Sequence, residues 1–235
     1  MKSRRHFSAG TFAAGWARWA PGAIVSTLCV AFCGCVSRPA LNEETFAFNT
    51  PALPATHGVS NGRVLEIRTL QIAPPFDSRS LIYRTGEFSY QRDPYAAFLG
   101  LPAEVLVGPV SEMLRDDGGF SEVVQPGSAL EPDMLVEITI LQLYGDIRKP
   151  RSPDAVLAMR VTFMDATNGM SGKVILQRDY SRRVPLGLTT PAALMNGWNQ
   201  ALGSILSEAT SDFRNQETEG PEDRGNSPQK SSDTP

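Results

Sequence analysis

Cysteine and histidine are nearly absent from most of this chain, and their scarcity excludes much chemistry. Among 235 residues there are three Cys, Cys29, Cys33 and Cys35, all near the start, and two His, His6 and His57. Zinc sites, Cys–His nucleophiles and Ser–His–Asp triads draw on these residue types, so few such sites can be built. A basic excess is also missing: the formal net charge is −3, which speaks against nucleic acid as a partner. The sequence contains no P-loop, no G-x-G-x-x-G, no H-E-x-x-H and no C-x-x-C. The acidic pairs Glu43-Glu44 and Asp116-Asp117 fall in a linker and at a helix end, where solvation accounts for them. No catalytic residue, metal or cofactor is expected.

What the chain does have begins at its N-terminus. Residues 1–34 carry Lys2, Arg4, Arg5 and Arg18 and no acidic residue, followed by an apolar stretch over residues 20–32. A basic segment, an apolar core and then small residues form an export signal. At ~1.5 Å per residue the apolar stretch reaches ~20 Å, short of the ~30 Å hydrocarbon core of a bilayer. Ser3-Arg4-Arg5-His6-Phe7 matches the S-R-R-x-F pattern of twin-arginine export, with general secretion as the alternative.

The signal closes on Phe32-Cys33-Gly34-Cys35, which resembles a bacterial lipobox. Cleavage needs a small residue before the acceptor, and of the three Cys only Cys35 has one, Gly34. Cys35 is therefore the expected lipidation site. A Cys33–Cys35 disulfide would be strained, and no further ligand is near to complete a zinc site. Val36 rather than Asp follows the acceptor. The expected location is the outer membrane, with the anchored protein facing the periplasm.

Loss of the four basic residues of the signal from 22 leaves 18 against 25 acidic residues, a processed chain of net charge −7. Residues 35–62 read as the lipidated N-terminus and a Pro-containing linker, with a short strand near residues 45–48. Residues 63–214 form the folded domain. Residues 215–235 hold five acidic and two basic residues without Val, Ile, Leu, Met or an aromatic, so a disordered acidic tail is expected.

Within the domain, residues 63–72 read as a strand whose apolar phase slips between Ile67 and Leu70, suggesting a bulge or a buried strand. Residues 81–83 and 87–91 read as short strands around Thr85-Gly86. Residues 102–117 read as a helix disturbed by Gly108-Pro109, hence kinked or in two pieces. Residues 134–144, 155–163 and 173–180 read as three strands of an antiparallel meander, the middle one alternating cleanly. Thr190 caps a final helix, with Pro191 in its first turn and an apolar stripe from Leu194 through Trp198 to Phe213. The expected class is α+β: an antiparallel or mixed sheet with two main helices packed mostly on one face.

Two features suit binding. The loop at residues 145–154 carries Arg148, Lys149 and Arg151 between prolines, suited to phosphate headgroups or an acidic partner. The aromatic group Phe76, Tyr83, Phe88, Tyr90, Tyr95 and Phe98 is expected to pack mostly under the sheet edge. Tyr90 and Tyr95 are the two expected at an interface rim.

The block Phe76-x-x-Arg79-x-Leu81-x-Tyr83-Arg84 leads to Pro94-Tyr95-Ala-Ala-Phe98 and the helix through Leu114. Together with Ala201-Leu-x-x-Ile-Leu206 in the last helix, it resembles the ABC-type transport auxiliary lipoprotein family over roughly residues 46–213. Phe98 stands where that family commonly has Trp, and Gly108-Pro109 interrupts a helix that is usually regular. The resemblance implies a non-enzymatic lipoprotein that accompanies an ABC transporter carrying a mammalian-cell-entry (MCE) substrate-binding subunit. Such systems move phospholipid or other hydrophobic molecules between inner and outer membranes. The implied partners are that subunit and the membrane itself, and self-association into a homo-oligomer is compatible with them. A lipid-anchored activator or scaffold of cell-wall synthesis is the alternative.

Overall fold

The computed structural model describes residues 43–49, 62–167 and 172–219. The export signal with Arg4 and Arg5, the acceptor Cys35, His57 and residues 220–235 lie outside the described residues.

Elements follow in the order β1 (Glu44–Phe46), β2 (Val64–Ile72), β3 (Ser80–Arg84), β4 (Tyr90–Phe98), α1 (Pro102–Gly118), β5 (Glu122–Val124), β6 (Met134–Asp146), β7 (Asp154–Asp165), β8 (Lys173–Pro185) and α2 (Pro191–Glu219). All eight strands form one mixed sheet. β6 organises it. One edge of β6 pairs antiparallel with β7 from end to end, and β7 pairs antiparallel with β8, which is the expected meander. The other edge is shared by two parallel strands: β2 lies along Met134 to Ile140, and β3 takes up Gly145 and Asp146. β5 extends the sheet beyond β2, while β4 and then β1 extend it beyond β3.

Alternation along the strands divides the sheet into two faces. On β7, Leu157, Met159, Val161 and Phe163 are buried on the face that carries both helices. Phe163 stacks on Phe213 of α2 with ring centroids 4.6 Å apart. Trp198 of α2 is fully buried, and its indole N–H donates to the Val156 carbonyl at 3.1 Å. Phe48 and Phe98 stack with Trp198, which ties the β1–β4 edge to the same core. The opposite face is mixed: across its middle Gln71 donates to Thr139, Gln177 to Thr162, and Arg160 pairs with Asp179, while Leu135, Tyr144, Val156 and Met164 are buried on it.

The phase slip in β2 is a bulge, with register lost between Ile67 and Thr69. Thr190 caps α2 as expected, its Oγ1 accepting from the Ala193 N–H at 3.2 Å.

Several elements differ from the sequence expectation. β4 runs from Tyr90 to Phe98 through Pro94, instead of ending near residue 91. Four of its residues, 93–96, bulge against Leu81 alone, and the Asp93 carboxylate accepts from the Tyr95 and Ala96 N–H groups. A proline that need not donate to the ladder is tolerated there. α1 is one continuous helix of 17 residues with Pro109 inside it, not two pieces. It stops at Gly119, whose φ of 70° is the left-handed C-cap geometry. α2 continues through residues 215–219, the first part of the expected tail, where Arg63 makes a bidentate pair with Glu217 at 2.5 Å. β5 had no counterpart in the strand reading.

Candidate functional site

Gly145 faces α2: a Cβ there would lie 3.2 Å from the Leu194 side chain and 2.9 Å from the Tyr83 ring. Its neighbours on β6, Tyr144 and Asp146, therefore point to the opposite, helix-free face. β3 places Arg84 beside Asp146, and the β3–β4 pairing places Tyr90 beside Arg84. The turn after β2, residues 73–76, adds Phe76.

The result is a triangle of rings with centroids 5.6–5.9 Å apart. Phe76 stacks on Tyr144, and Tyr90 meets both edge-on. Edge-to-face and offset geometries suit the ring quadrupole. The Arg84 guanidinium sits 5.8 Å from the Tyr90 centroid, a cation–π contact. Arg84 also donates to the Glu87 carbonyl at 2.7 Å, which fixes the hairpin that exposes Phe88.

Beside the rings lies an arginine–carboxylate network. The Asp146 side chain is 5% exposed. It accepts from Arg148 Nε at 2.9 Å and Nη2 at 2.7 Å, and from Arg183 Nη2 at 2.5 Å. Arg183 also reaches Asp154 at 3.3 Å. The Arg148 hydrogen bonds hold the Asp146 carboxyl far below the usual carboxylate range, against the opposing effect of burial, with Arg183 assisting. Asp146 in turn pushes Arg148 further toward its charged form, and the Tyr144 and Tyr90 phenols add smaller contributions. On the helix side, burial pushes the Tyr83 phenol up to about 12, with Asp93 adding to the shift.

The structure thus brings together two features that are separate in sequence, Tyr90 and the Arg148 loop. Lys149 and Arg151 are exposed in the same loop and make no ion pair among the described residues. Tyr95 stands apart: it is 58% exposed on the β4 bulge and joins none of the ring pairs among the described residues. The aromatic group does not pack as one body. Phe98 belongs to the Trp198 core, Phe76 and Tyr90 to the corner, and Phe88 is 88% exposed. Asp146, the residue on which the corner turns, carried no signal of its own in the sequence. Its partner Arg183 lies 37 residues away.

Chemically, this is a surface of fixed cations and ring faces. Among the described residues no three His, Cys, Asp or Glu side chains gather as a metal site, and no helix is long and apolar enough to cross a membrane.

Residues 46–209 match the model of the ABC-type transport auxiliary lipoprotein component family. The chain belongs to that family. Solved structures similar to this auxiliary lipoprotein include protein XCC0632 from Xanthomonas campestris, at 18% identity, with a TM-score of 0.57 and coverage of 75% of this chain and 96% of the other. An uncharacterized protein is similar at 11% identity, with a TM-score of 0.55 and coverage of 72% and 99%. At these identities the likeness is one of fold. No curated protein matches the auxiliary lipoprotein.

Proposed function

We propose that this auxiliary lipoprotein is a non-enzymatic, lipid-anchored component of an ABC transporter with an MCE substrate-binding subunit. It is held through Cys35 in the outer membrane, facing the periplasm, and the system moves phospholipid or another hydrophobic molecule between the two membranes. The observation that carries the reading is the family match over residues 46–209, nearly the whole described domain. The physical character of the domain agrees with it. Its clustered charges are guanidinium–carboxylate pairs and its clustered rings form a contact surface, which suits holding a partner.

The test is detergent co-purification of the tagged, processed protein from its own cells. Recovery of an MCE subunit with its permease and ATPase is expected. Consistent recovery of a cell-wall synthase in their place would overturn the transport reading in favour of the scaffold. Mass spectrometry of the same sample is expected to find acyl chains on an N-terminal Cys35, lost in Cys35→Ser.

A further inference from the structure

We infer that the corner formed by Phe88, Tyr90, Arg148, Lys149 and Arg151 rests on an anionic phospholipid surface, that of the membrane holding the protein's own anchor. This inference rests on acylation of Cys35. Three observations meet here. The first is composition. Exposed aromatic rings beside Arg and Lys are what a headgroup layer accepts, since rings enter the interface and cations meet phosphate. Phe88 is 88% and Tyr90 is 47% exposed.

The second is charge. A processed chain of net charge −7 is repelled by an anionic surface unless it presents a local cationic face. The corner gathers Arg84, Arg148, Lys149, Arg151 and Arg183 against Glu87, Asp146 and Asp154. On the helix side of β8, by contrast, Arg178 and Arg182 are matched by Asp212 and Glu208 of α2.

The third is the tether. β1 runs parallel to β4 with Glu44 opposite Ala96, so the chain enters β1 from the end of the pair that looks back toward Tyr90. About nine residues separate Cys35 from Glu44, a reach of roughly 30 Å when extended. Tyr90 lies about six residues along β4 from that entry, at most about 20 Å. A tether of that maximum length permits the corner to reach the bilayer.

The processed chain has one tryptophan, Trp198, and it is fully buried. Phe88→Trp thus adds a second emitter at the corner, whose quenching is read as the difference from the wild-type protein with Trp198 alone. The acylated full-length processed protein is placed in vesicles of brominated phosphatidylcholine, with or without phosphatidylglycerol. Quenching of the Phe88→Trp emission is expected with phosphatidylglycerol, and little is expected for a Leu130→Trp control. Reversing Lys149 and Arg151 to Glu is expected to abolish most of the quenching, and raising the salt to weaken it. Absence of quenching, or equal quenching of the control, overturns the inference. So does an unchanged signal in the Lys149→Glu/Arg151→Glu variant accompanied by loss of a co-purifying protein, because the corner would then be a protein-docking face. If mass spectrometry finds no acyl chain on Cys35, the anchor fails separately. Flotation of that protein with phosphatidylglycerol vesicles but not with phosphatidylcholine vesicles would still support the corner, and flotation with neither would sink it.

Discussion

Arg183 of β8 reaches across β7 to place its Nη2 2.5 Å from Oδ2 of Asp146 on β6. The carboxylate it meets is already held side-on by Nε and Nη2 of Arg148. One buried anion therefore ties the end of the meander to the loop that carries Lys149 and Arg151. Asp146 holds the loop through Arg148, beside the loop's own Ser152-to-Lys149 turn bond.

Asp146→Asn should destabilise the domain by about 2 kcal/mol in urea denaturation. That is below the ~3–5 kcal/mol of a fully buried pair, because both guanidiniums reach water when released. Arg160→Ala, which breaks a half-exposed pair with Asp179, should cost under ~1 kcal/mol. Equal costs for the two would contradict the tie described above.

The same carboxylate sets an acid response. Arg148, then Arg183, depresses the folded-state pKa of Asp146 below that of the unfolded chain, ~3.9. Its stabilising contribution is therefore complete above about pH 4 and is lost as pH falls toward the depressed value. Stability measured from pH 6 down to pH 2 should fall more steeply below pH 4 for the wild type than for Asp146→Asn. Asp165 and Asp179, also depressed, are present in both proteins and cancel from the difference. Parallel curves would show that Asp146 is not held as described.

Gly197 lets α2 lie close on the sheet. A Cβ there would stand 2.6 Å from the Ala155 Cβ and 2.9 Å from the Leu186 side chain. Alanine would gain about 1 kcal/mol of helix propensity but overpack a contact in which neither Cβ can swing away, at a cost of about 1–3 kcal/mol. Gly197→Ala should lower the Tm, and Ala155→Gly in the same chain should recover part of the loss. A higher Tm for the single variant would mean that the helix stands further off than the structure has it.

Much of this architecture is legible from local pattern. The phase slip before Leu70 and the Thr190-Pro191 start appear in the structure, because each is decided by neighbours in sequence; the alternation of residues 155–163 sets which face each side chain takes, but Val156, Ala158 and Thr162 on the second face are buried as well. Residues whose state depends on distant partners were opaque. The strand reading ends near residue 91, yet Asp93 satisfies the local N–H groups and β4 passes on through Pro94. Gly108-Pro109 reads as a kink or a break, and α1 runs through it without breaking. The corner was half visible: Tyr90 and Arg148 each stood out, but only the β3–β6 pairing places them on one face. Cys35 and the twin arginines remain readings of sequence alone.

The end of α2 shows the same dependence and allows a direct test. Residues 215–219 have no apolar side chain to bury, and by composition they should fray. They are helical because Glu217 receives both Nη groups of Arg63, while that guanidinium lies 5.7 Å from the Phe213 ring centroid. Arg63 is fixed at the start of β2, so the clamp joins the last turns of α2 to the sheet across 154 residues of sequence. Glu217→Gln keeps the shape and removes the charge, at a cost of about 1 kcal/mol for a partly exposed bidentate pair. Amide hydrogen exchange is the suitable readout, because it resolves local opening from global unfolding. Exchange should rise for residues 214–219 and stay unchanged around Trp198 and Ile205. Acceleration along the whole helix would mean that the clamp supports the fold globally. No acceleration would mean that the terminal turns stand without it.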